Sequence, residues 1–266
     1  MMPLRNTFNI DQIAIKTFIK SYLPSGDLIK HPHQDSEYLE LWENALNKVR
    51  RLAPPSLNEE EITWIDKLAL RTSVSVKTSN PNWLHGYFLY EMVKKYTKNY
   101  QNKIINYFES GTAKGFSALV VAKAITASGN KPQITTIDII NDNKKRYWNA
   151  LGDVTGKRNR NQLLSDYEDL TRGIHFLKLR SRELNRAYFG RNEIDLAFLD
   201  GPHTYKNIKN EFKFVSSKLV SGGILLFDDY NESKYPGIHK FINELNPKNI
   251  EKIIGDNRNY ALYINN

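Results

Sequence analysis

The chain has 266 residues, 40% of them hydrophobic and 12% aromatic, so it can bury a sizeable core and is too apolar for an extended disordered protein. Its 38 basic and 29 acidic residues give a net charge of +9, but the basic residues are spread in short clusters such as Lys144-Lys145-Arg146, which disfavours a dedicated nucleic-acid groove. The absence of cysteine excludes disulfides, thiolate nucleophiles and cysteine-bound zinc; no run approaches the roughly 18 apolar residues of a membrane span, and the chain reads as cytoplasmic.

Helical periodicity marks four segments of the first hundred residues: Ile10–Tyr22, Ser36–Leu52, Asn58–Leu70 and Pro81–Tyr96. Pro24-Ser25-Gly26, Pro54-Pro55 and Asn80-Pro81 separate them. Residues 1–100 are therefore read as a helical region that packs on the following domain and serves substrate or oligomer contacts. From residue 101 the pattern alternates. Strands are expected at Ile104–Phe108, Gln133–Ile137, Gly173–Lys178, Ile194–Leu199 and Ile224–Phe227, with helices at Gly115–Ala127, Arg182–Phe189 and Tyr205–Leu219. A helix at Pro236–Leu245, an apolar segment at Ile250–Ile254 and a strand at Tyr260–Ile264 close the chain. The pattern predicts an α/β fold with a doubly wound, mostly parallel sheet ending in an antiparallel hairpin. The stretch from Asn141 to Arg172 is long for a connection and is read as a helix, Gln162–Leu170, plus a functional or lid-like loop.

Two places carry chemistry. The first strand runs into Glu109-Ser110-Gly111-Thr112-Ala113-Lys114-Gly115, where Gly111 and Gly115 allow a sharp turn and close approach of a ligand, and a helix amino terminus follows. The turn lacks the G-x-G-x-x-G dinucleotide pattern. The second strand ends in Asp138, placed to receive both ribose hydroxyls of an adenosyl ligand or, more simply, to cap a turn. Further on, Ile194–Leu199 ends in Asp200, and Ile224–Phe227 ends in Asp228-Asp229. A helical crossover makes these strands parallel, and adjacent strands lie about 4.8 Å apart. The three aspartates then converge, and they repel one another unless a cation or protons intervene; oxygen ligands suit Mg²⁺, Ca²⁺ or Mn²⁺. The alternative is a plain turn at Asp200-Gly201, with Asp228 or Asp229 capping the next helix.

These residues resemble the class I S-adenosylmethionine-dependent methyltransferases over about Ile104–Ile264. Asp200-Gly201-Pro202-His203-Thr204-Tyr205, Gly222-Gly223 and Asp228-Asp229-Tyr230 are similar to bacterial metal-dependent O-methyltransferases of the macrolide-sugar and cell-surface-sugar type. The resemblance implies a Rossmann-like seven-stranded sheet and S-adenosylmethionine held by Glu109, Ser110, Gly111, Thr112, Gly115 and Asp138, with Ser181 at the adenine and Asp200 nearby. It also implies Mg²⁺ on Asp200, Asp228 and Asp229, His203 as general base, and a sugar, glycoside or other small hydroxyl compound as acceptor. Trp83, Tyr87 and Trp148 are candidates for stacking on the acceptor, against a core role for each. Two rivals stay open: a non-catalytic binding protein on the same fold, and a nucleic-acid-binding protein using the +9 charge.

Overall fold

The computed structural model describes residues 27–186, 193–254 and 258–266. Strands β1 (Ile104–Ser110), β2 (Lys131–Asp138), β3 (Ile174–Lys178), β4 (Ile194–Leu199), β5 (Leu219–Phe227), β6 (Ile250–Ile253) and β7 (Tyr260–Ile264) form one sheet of order β3-β2-β1-β4-β5-β7-β6. Every neighbouring pair is parallel except those made by β7. This is the doubly wound, seven-stranded arrangement expected from the alternating pattern. The strand order turns back between β1 and β4, and open α/β sheets form their ligand crevice beyond the carboxyl ends at such a point.

Helices α1 (Asp35–Arg50), α2 (Glu59–Thr72), α3 (Leu84–Thr97) and α4 (Phe116–Ala127) lie on one side of the sheet, while α7 (Tyr205–Ser216) and α8 (Pro236–Asn243) lie on the other. The two-residue period of β4 shows why both faces need cover. Leu196 and Phe198 join the cluster with Tyr38, Ile65, Tyr87 and Leu119, whereas Ala197 and Leu199 join the one with Ile208, Val215, Phe227 and Phe241. A single apolar cluster therefore runs from the N-terminal helices into the sheet.

Local chemistry fixes the helix ends. Asn58 accepts from the Glu61 amide and Glu61 returns the bond to the Asn58 amide, a capping box that starts α2. Asp66 of α2 is fully buried and draws several elements together. It accepts from Trp83 Nε1 at 2.7 Å, from the Tyr87 hydroxyl and from Arg50 Nε at 2.6 Å.

Some expectations change. The predicted helix Ile10–Tyr22 lies outside the described residues. Gln162–Leu170 is not one helix: short turns α5 (Arg160–Leu163) and α6 (Glu168–Thr171) flank a 3₁₀ turn, because Leu164 and Tyr167 leave helical geometry with ψ near 15° and 26°. The described part of Arg182–Phe189 is likewise a 3₁₀ segment, Ser181–Arg186. The 141–172 stretch is packed down rather than lid-like. The Trp148 ring is fully buried between Arg146 and Arg160, and the Asn149 side chain bridges to Val76. Trp83 and Tyr87 are also fully buried, so none of the three aromatics named for the acceptor reaches one. No helix among the described residues is long and apolar enough to cross a membrane.

Candidate active site

The turn after β1 is built from backbone that side chains rarely permit: Gly111, Ala113 and Gly115 have φ of 95°, 44° and 98°. At Gly111 the crowding comes from the chain itself, since a Cβ there would lie 2.1 Å from the Asp200 carbonyl oxygen. The glycine thus lets β1 and β4 close up at the point where the strand order reverses. The turn is anchored from below. Lys114 is buried and donates to Val74 O, Ser75 Oγ and Asn149 O at 2.7–2.9 Å, and Arg160 donates to Ala113 O.

Most side chains assigned to the cofactor turn inward. Glu109 is fully buried; Thr136 donates to it at 2.8 Å and the Tyr107 hydroxyl at 3.1 Å. Thr112 pairs with the Thr136 hydroxyl, while Ser110 and Ser181 both donate to Glu211. The surface these residues leave for a ligand is therefore the Thr112–Gly115 backbone and the start of α4, with Asp138 beside them. Asp138 is partly exposed and accepts from the Ala113 amide at 2.8 Å and the Ile140 amide at 3.0 Å, so it staples the turn with both oxygens and keeps lone pairs for a further donor.

At the ends of β4 and β5 the structure brings together Asp200, His203 and Asp229, each offering one donor atom within 4.8 Å of the others. His203 Nε2 lies 3.3 Å from Asp229 Oδ2 and 3.8 Å from Asp200 Oδ1. The Tyr235 ring sits 4.5 Å from the imidazole, centroid to centroid. The capping alternatives do not describe these residues. Thr204 caps α7 and Tyr235 precedes α8, leaving His203 and Asp229 free to face the crevice. Burial raises the carboxyls of Asp200 and Asp229; Arg258 and His203 oppose this at Asp200, and His203 does so at Asp229.

Asp228 does not join them. Asp228 is fully buried with both oxygens taken by Arg258, while Asp229, at a left-handed φ of 54°, lies beside His203. The expected trio of aspartates is replaced by two carboxylates and an imidazole. Two carboxylate oxygens converging on a half-open space, with the imidazole beside them, fit a divalent cation with positions left for water and an acceptor.

Two residues escaped the sequence reading. Glu211 of α7 is fully buried beneath the Asp200-Gly201 turn, where a Cβ on Gly201 would meet its Oε1 at 2.6 Å, and it accepts from Ser110 at the end of β1 and from Ser181 after β3. It falls on the same face as Ile208 and Val215, so an acid on an apolar stripe was its signal. Arg258 is the other. Burial raises Glu211 and Glu109 from 4.5 to about 7 each. An acid whose folded pKa lies above its unfolded value adds stability in full below 4.5, and loses it as pH rises through 7. Buried His85, lowered well below 6.5, works in the opposite sense below its unfolded pKa. The expected observation is therefore a difference: relative to the wild type, Glu211→Gln gains stability between pH 5 and 8, at most about 3 kcal/mol, in urea titrations. Parallel curves would show that Glu211 does not titrate in this range.

A family model described as a methyltransferase domain matches residues 108–230. An uncharacterized protein of Acanthamoeba polyphaga mimivirus is 30% identical over 59 residues, 20% of this chain and 27% of its own length, so the chain spans about a quarter of that relative. Among solved structures, CalS11, a TDP-rhamnose 3′-O-methyltransferase of calicheamicin biosynthesis, aligns over 87% of this chain and 96% of its own at 16% identity and TM-score 0.51. The O-methyltransferase TomG of Streptomyces achromogenes, involved in tomaymycin synthesis, aligns over 79% and 92% at 12% identity and TM-score 0.48. The family match spans both strand ends that carry the site, so residues 108–230, with their glycine turn and strand order, form a methyltransferase domain.

Proposed function

We propose that the protein methylates a hydroxyl of a small acceptor, a sugar or glycoside by preference, with the help of a divalent cation such as Mg²⁺, in the cytoplasm. The observation that carries this reading is the meeting of Asp200, His203 and Asp229 beside the Gly111 turn, where the cofactor crevice opens. The fold shared with CalS11 is compatible with a sugar acceptor; the acceptor class rests on the hydroxyl chemistry of the site.

Bound S-adenosylmethionine supplies an electrophilic methyl group, and a bound cation supplies positive charge that acidifies the acceptor hydroxyl. The protein's share is alignment and proton handling. The Thr112–Gly115 backbone and Asp138 fix the donor, and Asp200 and Asp229 hold the cation. His203 Nε2 accepts the acceptor's proton, and the imidazolium so formed has Asp229 at 3.3 Å and Asp200 at 3.8 Å to offset its charge. The Tyr235 ring, 4.5 Å away, packs against the imidazole.

Calorimetric titration tests this. S-adenosylmethionine is expected to bind the wild type, Asp138→Ala to weaken it at least tenfold, and Asp229→Ala to spare it while abolishing Mg²⁺ binding. Turnover is then sought on a panel of free and nucleotide-linked sugars and of catechol-like phenols. A wild type that binds cofactor but no divalent cation would sink the cation-assisted mechanism.

A further inference from the structure

Three acids at the ends of two adjacent strands need compensating charge, and part of it is supplied by the chain itself. β7 runs antiparallel to β5, with Phe227 opposite Ala261, which carries the residues just before β7 alongside those just after β5. Arg258 is thereby delivered to the site, where Tyr230 N bonds Asn259 O at 3.0 Å. Its Nε and Nη2 grip both oxygens of Asp228, Nε at 2.7 Å. Nη1 faces His85 Nδ1 at 3.0 Å, and burial keeps that imidazole neutral, so it accepts the bond and adds no charge. The same guanidinium lies 3.9 Å from Asp200 Oδ2 and 3.8 Å from Asp229 Oδ1.

We propose that Arg258 is the internal counter-cation of this site: a positioning residue that withholds Asp228 from the donor set and weakens the grip of Asp200 and Asp229 on a divalent ion, making that ion exchangeable. The inference rests on the cation reading above. With Arg258 in place, the three carboxylates carry a net charge of −2, which one divalent ion neutralises; without it they carry −3. A fixed positive charge a few ångströms from a bound cation lowers its affinity by simple Coulomb repulsion, which is strong where water is partly excluded. Removing Arg258 alone would strand a buried carboxylate, so the informative variants remove the pair or keep its hydrogen bonds.

Mn²⁺ binding to the full chain, followed by the electron paramagnetic resonance of the free ion, provides the test. In Asp228→Asn, Arg258 is released towards Asp200 and Asp229, and affinity is expected to fall. In the double variant Asp228→Asn/Arg258→Met it should rise at least tenfold above that of Asp228→Asn. Arg258→Gln, which keeps donors to Asp228 and His85 without the charge, should also bind more tightly than the wild type, and Arg258→Lys should stay within about threefold of it. A double variant that binds no more tightly than Asp228→Asn would overturn the proposal. Binding by the wild type with no gain in the double variant or in Arg258→Gln removes Arg258's role alone, whereas no Mn²⁺ binding in any variant removes the cation reading with it.

Discussion

Replacing His203 by alanine is expected to slow methyl transfer by a factor of about 10² to 10⁴ near neutral pH, the range a positioned general base contributes, with S-adenosylmethionine affinity unchanged. The imidazole is well suited to the task because its acidic neighbours are arranged to stabilise the protonated ring: Asp229 at 3.3 Å and Asp200 at 3.8 Å face the same nitrogen. The deficit should narrow as pH rises and solvent base replaces the missing group. Geometry alone would also allow that nitrogen to ligate the cation, since it lies within the same 4.8 Å cluster as the carboxylate oxygens. Mn²⁺ titration separates the two roles. A base leaves cation affinity within a few-fold of the wild type when removed, whereas a ligand takes at least a tenfold loss with it. A variant that retains full turnover at pH 7 would remove His203 from the mechanism.

The parts of the site that could be read in the sequence are those set by strand ends. β4 and β5 were visible as apolar runs, their parallel pairing followed from the helical crossover, and Asp200 and Asp229 follow from the last residues of each. Asp228 differs from Asp229 through its partner: Arg258 takes both of its oxygens, a pairing that the residues at the strand end do not reveal. Arg258 lies 30 residues beyond Asp228 in sequence, and nothing local marks it. Its place follows only from the β5–β7 register, a long-range pairing that periodicity does not encode. The inward turn of Glu109, Thr112 and Ser110 was hidden for a related reason. Each finds its partner on another element, Thr136 on β2 or Glu211 on α7, so residue type indicates a polar site without indicating which way it faces. The buried aromatics illustrate the converse: Trp83 and Tyr87 have polar tips that invite a binding role, but Asp66 already satisfies them.

Truncating Asp66 to alanine is expected to cost about 3–5 kcal/mol of folding free energy, a large share of the ~5–15 kcal/mol that holds a typical domain together. The carboxylate is fully buried and serves three donors, so its loss strands the Trp83 indole N–H and the Tyr87 hydroxyl inside the core and leaves Arg50 to seek water. Asp66→Asn retains one acceptor oxygen for the two aromatics and gives up the pairing with Arg50, which is 31% exposed, so a smaller cost of about 1–2 kcal/mol is expected. The consequence reaches the crevice because Trp83 and Tyr87 bracket His85 at the start of α3, and His85 supports the guanidinium that neutralises Asp228. Loosening the Asp66 knot should therefore weaken the hold on Arg258 as well as the fold. In urea unfolding the midpoint of Asp66→Ala is expected to fall with the slope unchanged, and folded Asp66→Asn should show altered Mn²⁺ affinity relative to the wild type. An Asp66→Ala midpoint within error of the wild type would mean that the three donors find other acceptors and that α3 is held by its apolar face alone.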